Sequence, residues 1–171
     1  MDLSLNNTTI IIAFLLPGVI AMWGVSSFSK TVRTWLATAP ATGTSLGGAI
    51  LFLVMSITAG LVADSLRSHT IDVVHFHTGI EQPTLSFEDF DQVKLDMFQA
   101  IMDNHFRYHQ FYGNVFLCIL FAYIAQQFTR RSWPWPPSCR EFGTLVLLVV
   151  TWLGSRGDLE SACLAIEELM K

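Results

Sequence analysis

Charged side chains are scarce in this chain, and their scarcity indicates its class. Only 14% of the 171 residues are Asp, Glu, Lys or Arg, against about 25% in an average soluble domain. Hydrophobic residues make up 51%, and the mean hydropathy is +0.45. Apart from the titratable His109, no charged side chain occurs in residues 3–29, 34–63, 108–129 or 142–155. Because a spanning helix needs about 20 mostly apolar residues, these windows predict an integral membrane protein.

A basic surface, paired cysteines and catalytic motifs are missing as well. The net charge of −4 and the lack of a basic stripe exclude a nucleic-acid binder. Cys118, Cys139 and Cys163 show no paired spacing, so neither a disulfide framework nor a zinc ribbon is indicated. There is no Walker loop, Gly-x-Ser-x-Gly or His-Glu-x-x-His pattern. The sequence therefore identifies no reaction and predicts no resident cofactor.

The apolar windows predict an all-α, polytopic fold in one membrane domain. We expect four transmembrane helices, at about residues 9–28, 45–66, 108–128 and 142–155. The fourth window is the shortest and the least certain to span on length.

Helices two and three should continue beyond the membrane as a polar helical hairpin over residues 67–107. Apolar residues keep helical spacing up to Gly79, a natural C-cap, so one long helix is predicted from about residue 45 to 78. Ser86 with Asp89 has the spacing of a capping box at the start of the next helix. The tail, residues 158–171, alternates an apolar and an acidic face, which predicts a separate amphipathic helix.

Small residues mark helix faces that could pack closely. Gly18 and Gly24 share a thin side of the first helix, and Ser56, Gly60 and Asp64 follow at spacing four on the second. Such faces let helix backbones touch in lipid. We therefore predict a homo-oligomer that assembles through these residues.

The two short loops, residues 29–43 and 129–141, hold the signals for orientation. Five of the ten Lys and Arg residues lie in them, which places both loops in the cytoplasm by the positive-inside pattern. The N-terminus, hairpin and tail then face the other side, and a bacterial inner membrane is the expected location. Trp35, Trp133 and Trp135 beside these basic residues are typical of anchors at the membrane interface.

All five histidines lie between residues 69 and 109, together with half of the acids. The candidate functional cluster of this segment consists of Asp64, Arg67, His69, Asp72, His75, His105, Arg107 and His109. Imidazole with carboxylate suits a divalent metal. The pair His105 and His109 has ligand spacing, but the motif is incomplete. Counting back from the turn places His105 opposite about residue 60, so the two histidine groups should lie more than a helical turn apart. Structural histidines in an aromatic hairpin are the simpler interpretation.

Two functions are compatible with these patterns. The first is a non-enzymatic, homo-oligomeric scaffold, channel-like protein, or effector or sensor subunit. It would act through its acidic, histidine-rich loop, and its partners would be lipid, further copies of itself, and a protein docked at the hairpin or acidic tail. The alternative is a membrane-embedded enzyme or metal-binding protein using Asp64, His69, Asp72 and His105 at the membrane interface.

The general build, a small four-helix membrane protein without catalytic motifs, is similar to that of membrane subunits of bacterial defence or stress systems. This resemblance implies a sensor or effector role, for instance in antiviral defence. The histidines further predict a response to mild acid, with His105 and Asp64 as the coupled groups.

Overall fold

The computed structural model describes residues 3–38, 46–83, 91–130 and 138–170 of the chain. Within these ranges the regular elements are all helical, which confirms the predicted all-α class. They are α1 (Leu3–Val25), α2 (Lys30–Thr38), α3 (Leu46–His77), α4 (Gln92–Ile101), a π-helical segment (Met102–Phe106), α5 (Arg107–Arg130) and α6 (Cys139–Met170).

Three stretches of helix are long and apolar enough to cross a membrane. They are Gly47–His77, Gln92–Arg130 and Cys139–Met170, whereas the apolar part of α1 among the residues searched, Ala13–Val25, is shorter. Helix α3 has 32 residues, or about 48 Å at 1.5 Å per residue, which exceeds a hydrocarbon layer of about 30 Å. Exposed large apolar side chains occur from Ile50 to Leu66 on α3 and from Phe142 to Leu153 on α6. The remainder of each helix extends beyond this apolar belt.

Glycine allows α1 and α3 to cross at backbone contact. A Cβ atom on Gly60 would overlap the carbonyl of Phe14, and one on Gly18 would overlap the carbonyl of Ser56. Gly24 similarly lies against Phe121 and Ala122 of α5. These small residues therefore pack helices of one chain against each other.

The turn after α3 depends on a glycine, as the sequence predicts. Gly79 has φ of 106°, a conformation that costs glycine little because it has no Cβ. The next residue, Ile80, then turns back and its N–H donates to the carbonyl of His75 at 3.4 Å. Ile80 is buried with Leu159 and Cys163 of α6. This apolar contact joins the residue after the turn of α3 to the second half of α6.

The start of the next helix differs from the expectation. The predicted Ser86 start lies outside the described residues, and α4 begins at Gln92. Asp91 is its N-cap, in extended conformation, and its carboxylate accepts from the N–H of Lys94 at 2.8 Å. Aspartate satisfies an otherwise unpaired donor of the first turn in this way, so the later acid fixes the boundary.

Three further expectations about the extramembrane part are corrected. Among the described residues, the extensive contacts of α4 are with α6 and the π segment, so α4 is not the antiparallel partner of α3. The tail is not a separate helix, because α6 continues from Cys139 to Met170. Gly157 inside it costs a helix only about 1 kcal/mol, which is too little to break it.

Residues 29–43 are not simply a loop either, since Lys30–Thr38 form the amphipathic helix α2. Arg33 of α2 donates to the carbonyls of Ser26 at 3.1 Å and Ser27 at 3.2 Å, just after α1. These bonds satisfy carbonyls that a helix end leaves without partners. Trp35 is half-buried in this helix, and Trp133 and Trp135 lie outside the described residues.

The close crossing of α1 and α3 generates a stability prediction. We expect Gly60→Ala to lower the thermal stability of the detergent-solubilised protein by about 1–3 kcal/mol, because the added methyl forces two backbones apart. Gly143→Ala is the matched control, since its Cβ would meet open space and alanine favours a helix by up to about 1 kcal/mol. Equal melting temperatures for the two variants would contradict the crossing.

Candidate functional site

A group of buried polar side chains lies where the apolar belt ends. The runs of exposed apolar residues on α3 and α6 end at Leu66 and Leu153, with Val73, Val74 and Leu164 exposed further along. Arg67 and Ser155 lie close to the ends of these runs. Both are buried, although a polar residue at this level could reach water. We name this group the Arg67 cluster. It consists of Asp64, Arg67 and Asp72 from α3, His109 and Asn114 from α5, and Ser155 from α6.

The guanidinium of Arg67 is the centre of the cluster and is 2% exposed. Its Nη1 donates to both carboxylate oxygens of Asp72, at 2.7 and 2.6 Å. Its Nε and Nη2 each donate to Oδ1 of Asp64 at 3.2 Å. The spacings of three and five residues on one helix bring both carboxylates to the same arginine. Charge-assisted bonds of this kind are about twice as strong as neutral ones.

His109 ties α5 to this ion group and to α6. Its Nε2 lies 2.9 Å from Nη1 of Arg67 and 3.0 Å from Oδ1 of Asp72. Its Nδ1 lies 2.8 Å from the carbonyl oxygen of Ser155. A neutral ring that carries its proton on Nδ1 donates to Ser155 and accepts from Arg67. A protonated ring donates to Ser155 and to Asp72 instead. One nitrogen therefore has two alternative partners.

The charges of the cluster balance in only one of these states. With His109 neutral, one guanidinium faces two carboxylates, and the group has one surplus negative charge. With His109 protonated, two cations face Asp64 and Asp72. A buried group without net charge avoids the desolvation cost of an unpaired ion. The net charge of the cluster therefore depends on whether the His109 ring carries one proton or two.

Polar and aromatic neighbours complete the site. The Nδ2 of Asn114 donates to Asp64 at 3.3 Å, and the Oγ of Ser155 lies 3.4 Å from Nε2 of His75. The ring of His75 packs on Trp152, with centroids 4.5 Å apart. Among the described residues, Nδ1 of His75 and Oδ1 of Asn114 are buried without a hydrogen-bond partner.

Two local features, Gly113 in α5 and the π segment before α5, shape the surroundings of the cluster. A Cβ on Gly113 would lie 2.6 Å from Cδ of Arg67, so a side chain there would displace the arginine stem. The π segment Met102–Phe106 lies just before His109 and holds one extra residue per turn. It sets the direction in which the following side chains point. Single π turns of this type occur often at functional sites.

The structure brings together some of the predicted site residues and separates others. Asp64, Arg67, Asp72 and His109 are joined directly, and His75 approaches through Ser155. His69 is exposed, and its Nδ1 lies 2.7 Å from the carbonyl of Ser65 on its own helix.

Arg107 and His105 belong to other interactions. Arg107 pairs with Asp103 one turn away at 2.8 Å. His105 lies close enough to Asp158 of α6 to interact with its charge. The five histidines all lie on helices, so the term histidine-rich loop is wrong for this segment.

The expected separation of the two histidine groups is also wrong. The rings of His75 and His109 have centroids 6.0 Å apart, because α4 and the π segment do not pair residue by residue with α3. Sequence reasoning missed Ser155 and Asn114. Asn114 is a polar residue in an apolar run, which in a membrane helix is a signal of function.

A metal would have to compete with Arg67 for the same ligands. Among the described residues, no three His, Cys, Asp or Glu side chains are grouped as a metal site. The guanidinium lies between Asp64 and Asp72 and uses the oxygens that a divalent ion would need. The arrangement fits a buried ion pair with a histidine better than a metal centre.

Comparison with known proteins identified no relative of this chain. No family model, curated protein or solved structure matches the chain.

Removal of Arg67 should be far more damaging than removal of an exposed arginine. We expect Arg67→Gln to destabilise the protein by about 3 kcal/mol, the low end of the range for breaking a buried pair, because Asp72 and the partly exposed Asp64 lose their cation. Arg107→Gln is the control, since its pair with Asp103 is partly exposed and such pairs contribute about 0–1 kcal/mol. Thermal unfolding of both variants in the same detergent measures the difference. A similar loss for the two would show that the cluster does not stabilise the fold.

Proposed function

We propose that this protein is a non-enzymatic, multi-pass membrane protein that acts as a sensor or effector subunit. The Arg67 cluster would connect its extramembrane part to its membrane helices. The observation that supports this is the position of His109 Nε2, within hydrogen-bond distance of both Arg67 and Asp72. Such a shared nitrogen gives a buried two-state element of the kind that switches use.

The proposal includes four membrane crossings. Helices α3, α5 and α6 have the required length and apolar character, and α1 packs along α3 and α5 over its described length. In this topology the short connections after α1 and α5 face the cytoplasm, and the Arg67 cluster lies on the opposite side. A bacterial inner membrane is the proposed location, because basic residues are concentrated in the short connections.

A change in the protonation of the cluster would affect contacts of three helices at once. His109 contributes from α5, Asp72 from α3 and the Ser155 carbonyl from α6. The groups facing the imidazole also include Asp64 and His75 of α3. Protonation would move the Nε2 hydrogen bond from Arg67 to Asp72 and would place the imidazolium 2.9 Å from the guanidinium of Arg67. The contacts that hold the extramembrane ends of α3 and α5 together would therefore change with the charge of the ring.

Helix α4 is the surface on which we place a protein partner. None of its residues is buried, and Val93, Leu95 and Met97 are exposed beyond the apolar belt. Exposed large apolar groups outside a membrane are typical of interaction sites. The acidic residues Glu160 and Glu168 at the end of α6 are exposed as well and would add specificity for a basic partner.

Self-association and catalysis are less well supported by the geometry. The small residues that motivated an oligomer, Gly18, Ser56 and Gly60, are occupied within one chain, so a homo-oligomer would have to use other faces. An enzyme built on Asp64 and Asp72 would need substrate to reach them past Arg67. The native mass in detergent tests the first possibility directly.

The sensing role predicts a pH response that depends on His109. Between about pH 7.5 and about pH 5.5, we expect amide hydrogen exchange of residues 72–78 and 107–113 to change. Rates are first corrected for their intrinsic pH dependence. His109→Gln should remove the difference, because glutamine cannot take up the proton.

The control for this experiment is His69→Gln, which removes an exposed histidine from the same helix as Asp72. It should keep the wild-type response. Matching corrected rates at both pH values in all three proteins would mean that the cluster is purely structural and that the sensing proposal is wrong.

The four-crossing topology predicts that positions 77 and 139 lie on opposite sides of the membrane. Cys139 is exposed and can serve as one reporter after Cys118 and Cys163 are replaced, and His77→Cys supplies the other on a cysteine-free chain. An impermeant maleimide added to sealed vesicles should label only one of the two. Labelling of both from the same side would exclude the topology.

A further inference from the structure

A pair of adjoining cavities lies at the end of the molecule opposite the Arg67 cluster. The first, of about 240 Å³, is lined by Trp23, Ser26, Ser27, Arg33, Gln126, Arg130 and Arg140. It lies where α1, α5 and α6 reach the end of the apolar belt. Three of its seven lining residues are arginines from three different helices, so the fold itself gathers the positive charge.

The second cavity, of about 290 Å³, is mainly apolar. It is lined by Ile20, Trp23, Ile119, Tyr123, Gln126, Arg140, Thr144 and Leu147. Trp23, Gln126 and Arg140 line both cavities, so the two form one continuous groove. Ile119 lies in the middle of α5, and Ile20 precedes Trp23 in α1. The groove therefore runs from a basic mouth into the apolar belt between α1, α5 and α6.

The charge of the basic cavity is not balanced by acids in its wall. No carboxylate is among the residues that line either cavity. The nearest acid in sequence, Glu141, is buried and accepts from the N–H of Ser138 at 2.7 Å and from its hydroxyl. Its carboxylate thus binds Ser138 at the start of α6. The three guanidinium groups are exposed and are therefore available to an anion from outside the protein.

Two of the three arginines, Arg33 and Arg140, are also oriented by contacts within the protein. Arg33 is fixed by the carbonyls of Ser26 and Ser27, and the guanidinium carbon of Arg140 lies 5.9 Å from the centroid of the Trp23 ring. Cation–π packing of this type orients an arginine at modest cost. Planar guanidinium groups suit bidentate binding of phosphate oxygens.

We propose that this groove is a binding site for an anionic phospholipid. Its phosphate would bind Arg33, Arg130 and Arg140, and one acyl chain would lie along Ile20, Ile119 and Leu147. Basic pockets between membrane helices bind anionic head groups in this way. The proposal rests on the membrane embedding given under the proposed function, because only an embedded groove faces a lipid leaflet at this depth.

The test uses the full-length protein in detergent micelles and native mass spectrometry. Dioleoyl phosphatidylglycerol and dioleoyl phosphatidylcholine are added separately at equal concentration, so that only the head group differs. We expect the wild type to retain the anionic lipid in preference. Arg130→Gln and Arg140→Gln should each weaken its retention about fivefold, the effect of one basic residue near a lipid surface. Leu147→Trp, which narrows the groove, should weaken retention of both lipids.

The matched control is Lys94→Gln, which removes one positive charge from α4, far along the chain from the groove. It should retain phosphatidylglycerol like the wild type. Equal retention of the two lipids by the wild type, or an equal loss in Lys94→Gln, would overturn the proposal. Displacement of the lipid by inorganic phosphate alone would also overturn it, since it would identify a plain anion site.

Failure of the lipid site can be distinguished from failure of the membrane assignment. If the protein stays soluble after detergent is removed, the embedding itself is wrong. If it needs detergent but shows no preference between the two lipids, only the specific site is wrong.

Discussion

An arginine at the edge of an apolar layer needs anions beside it, because an unpaired charge removed from water costs several kcal/mol. Arg67 obtains two carboxylates from its own helix, Asp64 and Asp72. One helix alone cannot cover the guanidinium, and His109 and Ser155 close the site from α5 and α6. Helices α3, α5 and α6 must therefore be positioned so that their polar groups surround the one buried guanidinium.

The two ends of the helix bundle differ in how they treat charge. At the Arg67 cluster, a buried guanidinium faces two carboxylates that are partly exposed. At the groove beside Trp23, arginines gather without carboxylates among the lining residues. The first arrangement joins three helices through one buried cation, whereas the second leaves its cations exposed to solvent. This asymmetry is consistent with a protein that has a fixed orientation in its membrane.

Periodicity and charge were sufficient to predict the long helix α3 and the turn at Gly79, but not α2 or the continuity of α6. Part of the cluster was also predictable, because Asp64, Arg67 and Asp72 are close on one helix. His109 was also in the predicted cluster, but its contact with Arg67 and Asp72 was not predicted, since the π segment changes the register of the chain before it. The use of Gly60 was equally hidden, because a small-residue face has the same pattern whether its neighbour belongs to the same chain or to another.

The π segment also determines how this chain can vary without losing its membrane part. Loss of one residue between Met102 and Phe106 would let the helix relax to ordinary α geometry. Every side chain of α4 would then turn by about 100° around the axis, while α5 would keep its register with α3. A single deletion at this point would therefore change the face that α4 turns towards α6, while the contacts between α3 and α5 would keep their register.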